Sequence, residues 1–458
     1  MIVVGGGCVI SNIKADQAEA TNLTMEDVSI LKKWIVNVCP RLSNSSQTIK
    51  SVFALLSSNI VSSVLTAIGG LLVARFVGPA ENGAFRAFTI PLTYLIFLHL
   101  GSWDGLWRQI PFYVGKEMPE QVDRLAAAAG AFNLLISVVV SFGFLCCAAY
   151  SLVRHDLYGV FGWMSQVLCC WGVFYSGYLT STYRTLHHFV TLARIQAVQT
   201  LLTFGMVFSL PFLGFYGLCA RMAFPSVLAT WLYHRNRPLK VRYSFDTSAL
   251  WELLKIGLPF SFWGNLYTSF WTATESALVL SLSGVSSLGI YAVATVIGNA
   301  LNSLPMAIWQ VLTPRVVTAH AREGSVRNAN ARSIWLTAGL TGFMILLAVA
   351  ASFLLEIFVP MFIPKYAAGI QVMKVCLWSP VVQAAFLPIN VLFATGRPWL
   401  YGRSVIAGIV VFPLATYLLL PVTGGVLAVA IGSLLGRVAR TLAAYVDLVV
   451  LTRREKLL

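Results

Sequence analysis

"FVGPAENGAF" (76–85) and "LSGVSSLGIY" (282–291) lie 206 positions apart in a chain of 458 residues, and laid over one another they place Gly78 on Gly284 and Gly83 on Gly289. The same offset sets Asn59 on Asn265, Trp103 on Trp309 and Glu117 on Glu323. Further along, an offset of 209 or 210 sets Arg194 on Arg403, Pro211 on Pro421 and Gly214 on Gly424. Spacing this constant over about 150 residues marks two copies of one structural unit. Each copy holds an even number of apolar runs, so the copies share one orientation and are related by an axis along the membrane normal.

The runs themselves are membrane-spanning. Hydrophobic residues make up 58% of the chain and charged residues 11%, where a soluble domain carries about 25% charged. Twelve apolar runs between residues 51 and 450 are each long enough for a spanning helix of about 20 residues. The expected fold is an all-α polytopic membrane protein of about 12 transmembrane helices in two six-helix lobes related by a pseudo-two-fold axis. The expected domains are an N-terminal tail (1–48), an N-lobe (49–233), a linker (234–250), a C-lobe (251–450) and a short C-terminal tail (451–458). Met25 opens a plausible amphipathic helix, so residues 1–24 read as an upstream extension of the reading frame; "MIVVGGGCVISN" matches neither a dinucleotide-binding turn nor a cleaved signal.

The net charge of +15 is unevenly placed. Bases crowd alternate connections: Lys116 with Arg124, Arg184 with Arg194, Arg235 to Arg242, Arg322 to Arg332, Arg397 with Arg403, and both tails. The intervening connections are nearly bare of them. By the positive-inside bias both termini are cytoplasmic. Eight cysteines fall mostly within apolar runs without a CxxC spacing, which reads as buried thiols and no metal site.

"ARFVGPAENGAF" (74–85), "GSWDGLWRQIP" (101–111) and the duplicated twelve-helix plan together resemble the Wzx-type polysaccharide flippases, or O-antigen translocases, of the multidrug/oligosaccharidyl-lipid/polysaccharide exporter superfamily. The resemblance covers about residues 50–450 and its motifs are loose. It implies translocation of a polyprenyl-pyrophosphate-linked oligosaccharide, an O-antigen, capsule or exopolysaccharide unit, across the bacterial cytoplasmic membrane. The implied partners are that cargo, membrane lipids, and the polysaccharide polymerase with its chain-length machinery, with coupling to protons or sodium; no cofactor, metal or nucleic acid is expected. Trp103, Asp104 and Trp107 depart from the smaller or apolar residues of many relatives.

Such a cargo asks for guanidinium groups to hold its pyrophosphate and for aromatic and amide groups to hold its sugars. The candidates for the anion are Arg86, Arg108, Arg194, Arg315 and Arg403. Asn59 and Asn265, with Trp103 and Trp309, are the candidates for the sugar. Asp104 and Glu275 are the candidates for ion coupling, since an acid inside an apolar run is a functional candidate by default. Asp104 and Arg108 share a helix face at the end of the second run; the plainer reading makes Arg108 and the tryptophans an interfacial belt. His99 reads as a satisfied interior histidine.

Two other function classes compete. A cation-coupled multidrug extruder of the same superfamily calls for acids in the interior of the first lobe, and the first run has none. A membrane enzyme such as a polysaccharide polymerase calls for an acid–base constellation on a sizeable loop, and the longest break is about 17 residues. The absence of a GxxxxGK[ST] loop excludes ATP hydrolysis by a P-loop. A structural scaffold without a connected cavity is the third alternative.

Overall fold

Residues 46–323, 326–386 and 398–454 are described by the computed structural model, with side chains from Val61 onward except at 307, 309–334, 336, 398 and beyond 451. The described residues contain helix and no strand. Leu55–Leu458 packs as one unit, distinct from Met1–Ala54; most of the tail expected at 1–48 lies outside the described residues.

Among the described residues, eight helical segments are long and apolar enough to cross a membrane. Phe189–Arg235, with 47 residues, and Thr247–Met306, with 60, are too long for one crossing, since they would span about 70 and 90 Å against a hydrocarbon core of roughly 30 Å. Each breaks at a glycine: Gly214 (φ 50°, ψ −123°) and Gly284 (φ 82°, ψ −179°). Counting each as two makes ten, and the shorter apolar helix Val61–Phe76 adds an eleventh. The run expected at 368–394 begins with Ile370–Cys376 and Ser379–Ala385 and continues outside the described residues. Every apolar run of the sequence therefore meets a helix.

The turn glycines are repeat partners. Gly424, the partner of Gly214, also has a left-handed φ of 79° and separates helix Pro398–Thr423 from Gly425–Arg454. Gly78 departs from its partner Gly284 by taking φ −77° and ψ 162°. The cause is local, because Pro79 follows it, and a residue before proline is pushed toward extended backbone.

The two lobes touch through the stretches that open the repeat. A Cβ placed on Gly83 would fall 1.8 Å from the Val285 carbonyl oxygen, and one on Gly289 would fall 1.9 Å from that of Pro79. Val285 is the repeat partner of Pro79, so the contact is reciprocal in the manner of an isologous two-fold interface. Asn82 Nδ2 seals it by donating to the Gly289 carbonyl at 3.3 Å.

Helix Pro79–Leu95 does not run on to residue 110 as the sequence suggests. It passes through a 3₁₀ turn at Ile96–His99 and two left-handed residues, Leu100 (φ 48°) and Gly101 (φ 80°), before Ser102–Gly115 begins a new helix. Gly101 is needed there twice over, for its φ and because a Cβ would lie 2.4 Å from the Gly257 carbonyl carbon of the opposite lobe. "GSWDGLWRQIP" thus starts a helix instead of ending one, and Asp104 occupies its first turn, where the helix dipole favours an acid.

Residues 236–246 connect helix Leu210–Arg235 to helix Thr247–Asn265. Asp246 caps helix Thr247–Asn265 by accepting from the Ser248 and Ala249 amides at 2.9 and 3.0 Å, and its other oxygen receives Arg124 Nε at 2.6 Å. That guanidinium and those amide bonds hold the Asp246 carboxyl well below the usual carboxylate range.

Candidate functional site

Where the broken helix of the first lobe meets the second, polar groups concentrate around His99. Gly101 N–H donates to His99 Nδ1 at 3.1 Å. The other ring nitrogen, Nε2, lies 3.3 Å from Ser261 Oγ and 2.9 Å from Asn265 Nδ2. Trp103 stacks on the imidazole with 4.0 Å between centroids, and its indole N–H donates to Asn133 Oδ1 at 2.9 Å. Of the expected site residues, Trp103 and Asn265 come together here, with Asp104 next to Trp103 in the chain. Just beyond Asn265 the second-lobe helix widens into a π turn, Leu266–Phe270. Arg108 is exposed, and its guanidinium lies 3.5 Å from the centre of the Phe260 ring.

Inside the second lobe sits a charged cluster of which the sequence reading foresaw only Glu275. This acid is 4% exposed. Its Oε1 accepts from Trp271 Nε1 at 2.8 Å, from Arg437 Nη2 at 3.0 Å and from the Ser433 hydroxyl. Arg437 Nη1 also donates to Tyr267 OH at 3.2 Å, and that hydroxyl donates to Gln383 Oε1 at 3.1 Å. One turn further along the same helix, the 3% exposed Arg440 is layered between Tyr267 and Phe386, 3.4 and 3.7 Å from their ring centres. Its Nε has no hydrogen-bond partner. The signal was present in the sequence, because residues 437 and 440 are three apart, on one face of a helix.

The remaining candidates separate. Arg403 is exposed and pairs with the buried Asp447 at 3.2 Å, while its repeat partner Arg194 is exposed. Neither belongs to either cluster just described. Arg86 is half-buried in the first lobe. Asn59, Trp309 and Arg315 lie on helices, but their side chains are outside those described. Along helix Ser46–Phe76 an apolar cleft of about 310 Å³ opens between the lobes, lined by Ala67, Leu71, Val296, Ala300, Leu355 and Leu377 among others. Among the described residues no cluster of His, Cys, Asp and Glu is arranged to hold a metal.

A family model for polysaccharide biosynthesis proteins matches residues 117–360, just over half of the chain. A search of curated proteins found no match. Among solved structures, an inward-facing multidrug resistance MATE family transporter of the MOP superfamily matches with a TM-score of 0.69 and 15% identity, covering 88% of this chain and 98% of that one. An outward-facing MATE family transporter matches with a TM-score of 0.60 and 13% identity over 89% of this chain and 96% of that one. A Vibrio cholerae MATE transporter gives 0.57 and 16% over 88% and 98%. At these identities the likeness is one of fold, and it agrees with the two-lobed helical architecture described above. With its helices and its match to the family model, the chain belongs to the polysaccharide biosynthesis protein family.

Proposed function

We propose that the chain is a flippase that carries a polyprenyl-pyrophosphate-linked oligosaccharide across the bacterial cytoplasmic membrane by alternating access, with both termini on the cytoplasmic side. The observation that carries the reading is a surplus of guanidinium inside an apolar two-lobed body: among the described residues, Arg437 is paired with Glu275, while Arg86, Arg221 and Arg440 make no ion pair with a carboxylate. A charge left in hydrocarbon is costly, so unneutralised bases favour an anionic cargo over the cationic drugs of an extruder. The apolar cleft along Ser46–Phe76 suits a hydrocarbon tail travelling beside an anionic head. Lobes that meet through narrow glycine contacts suit a rocking exchange between inward-open and outward-open states, and the polymerase with its chain-length machinery would receive the product. Asp104 at the lobe junction is the better candidate for ion coupling, since an ion on Glu275 would have to displace Arg437.

The reading is tested by reconstituting the chain in liposomes and following a fluorescent lipid-linked oligosaccharide between leaflets, with and without a proton or sodium gradient. Movement that depends on the protein is expected. No movement under any gradient overturns the transporter reading.

A further inference from the structure

Among the described residues, two half-buried arginines of the first lobe, Arg86 and Arg221, have no acid partner. Arg86 and Arg221 each lie seven residues past a helix-opening Pro79 or Gly214, so both sit about 10 Å into the helix layer, at one depth. Arg86 is the charged neighbour that acts on Arg221, and among the described residues neither pairs with a carboxylate. The second lobe solved the same problem differently, setting Arg437 against Glu275 at 3.0 Å.

Beside Arg221 is a cavity of about 140 Å³ lined by Thr66, Gln199, Thr200 and Thr203. It is built around the guanidinium. Arg221 Nε donates to the Thr203 carbonyl at 3.0 Å, which fixes the plane of the fork. Gly69 packs beside it, a Cβ there lying 3.4 Å from Nη2, an ordinary contact distance. Thr66 at the mouth is exposed. The lining thus offers a fixed guanidinium, the Thr66 hydroxyl and the Gln199 amide, since Thr200 and Thr203 already donate to backbone carbonyls, and no negative group.

We propose that this cavity seats a phosphate-type anion. The free edge of Arg221 gives the forked donor pair that matches two phosphate oxygens, the Thr66 hydroxyl and Gln199 amide take the remaining oxygens, and Arg86 contributes field. Relief of the repulsion between two uncompensated cations in a low-dielectric setting adds to the attraction. The identity of the ligand as the pyrophosphate of a lipid-linked sugar rests on the flippase reading; an anionic lipid headgroup has the same chemistry.

The test uses the full chain in liposomes of zwitterionic lipid, with a polyprenyl-pyrophosphate bearing one fluorescent sugar as cargo and inorganic pyrophosphate as competitor. Pyrophosphate is expected to inhibit flipping by the wild type. Arg221→Gln is expected to lose about tenfold or more of that sensitivity. Arg221→Lys falls between, because it keeps the charge and loses the fork, and Arg154→Gln, on an exposed turn, matches the wild type. Replacing part of the lipid by phosphatidylglycerol separates the two sources. A headgroup site shows as inhibition by the anionic lipid that Arg221→Gln abolishes, and a cargo site as pyrophosphate sensitivity that the lipid leaves unchanged. Equal pyrophosphate sensitivity in wild type and Arg221→Gln overturns the site and leaves the flippase reading standing. If the wild type moves no cargo, that reading falls, and calorimetric binding of pyrophosphate to wild type and Arg221→Gln decides the site alone. Should Arg221→Gln fail to fold, Arg86→Gln read in the same way decides.

Discussion

Glu275 and Arg437 show how a single buried pair is held. The acid receives three donors on one oxygen, and the base is shared between the acid and Tyr267. Removing one partner of a buried pair leaves an uncompensated charge and costs about 3 kcal/mol or more, whereas replacing both is often near neutral. Glu275→Gln is therefore expected to lower the thermal midpoint of the protein in detergent clearly, and Glu275→Gln with Arg437→Gln to recover much of the loss. A double variant as unstable as the sum of the singles would show that the two residues act independently.

At the scale of the element, helix ends in this chain are made by different devices. Gly214, Gly284 and Gly424 end helices through left-handed backbone, Gly78 does so through the proline that follows it, and Thr247–Asn265 starts from an acid cap. Asp246 has a carboxyl pKa depressed in the folded state, so its contribution to stability is fully present above the ordinary carboxylate range of about 4 and is lost as pH falls through the lower folded value. The thermal midpoint of the wild type and of Asp246→Asn should thus differ at neutral pH and converge only on strong acidification. A difference that vanishes already near pH 5 would assign the effect to another group.

For the whole molecule, the decisive contact is the reciprocal approach of Gly83 and Gly289. A methyl on either glycine meets backbone of the other lobe, not a side chain that can rotate away. Gly83→Ala is expected to force the helices apart and to cost about 1 to 3 kcal/mol, read as a lower thermal midpoint. An unchanged midpoint would mean that the lobes do not bear on one another there.

Composition and periodicity alone determined that this chain is helical, membrane-spanning, twelve-fold in its apolar runs and duplicated, because burial in lipid demands long apolar helices and the repeat glycines mark their turns. Those features depend on residues near one another in sequence. Sequence also singled out Glu275, Asp104 and Arg86, each by being charged where its neighbours are apolar. Only the tertiary structure decided which charges answer one another: that Arg437 neutralises Glu275 across 162 positions, that His99 bridges to Asn265 across 166, and that Arg221 stands beside a cavity with no acid. The reason is physical, since the energy of a charge in a low-dielectric interior depends on its distance to the nearest opposite charge, and that distance is set by how helices far apart in the chain pack together.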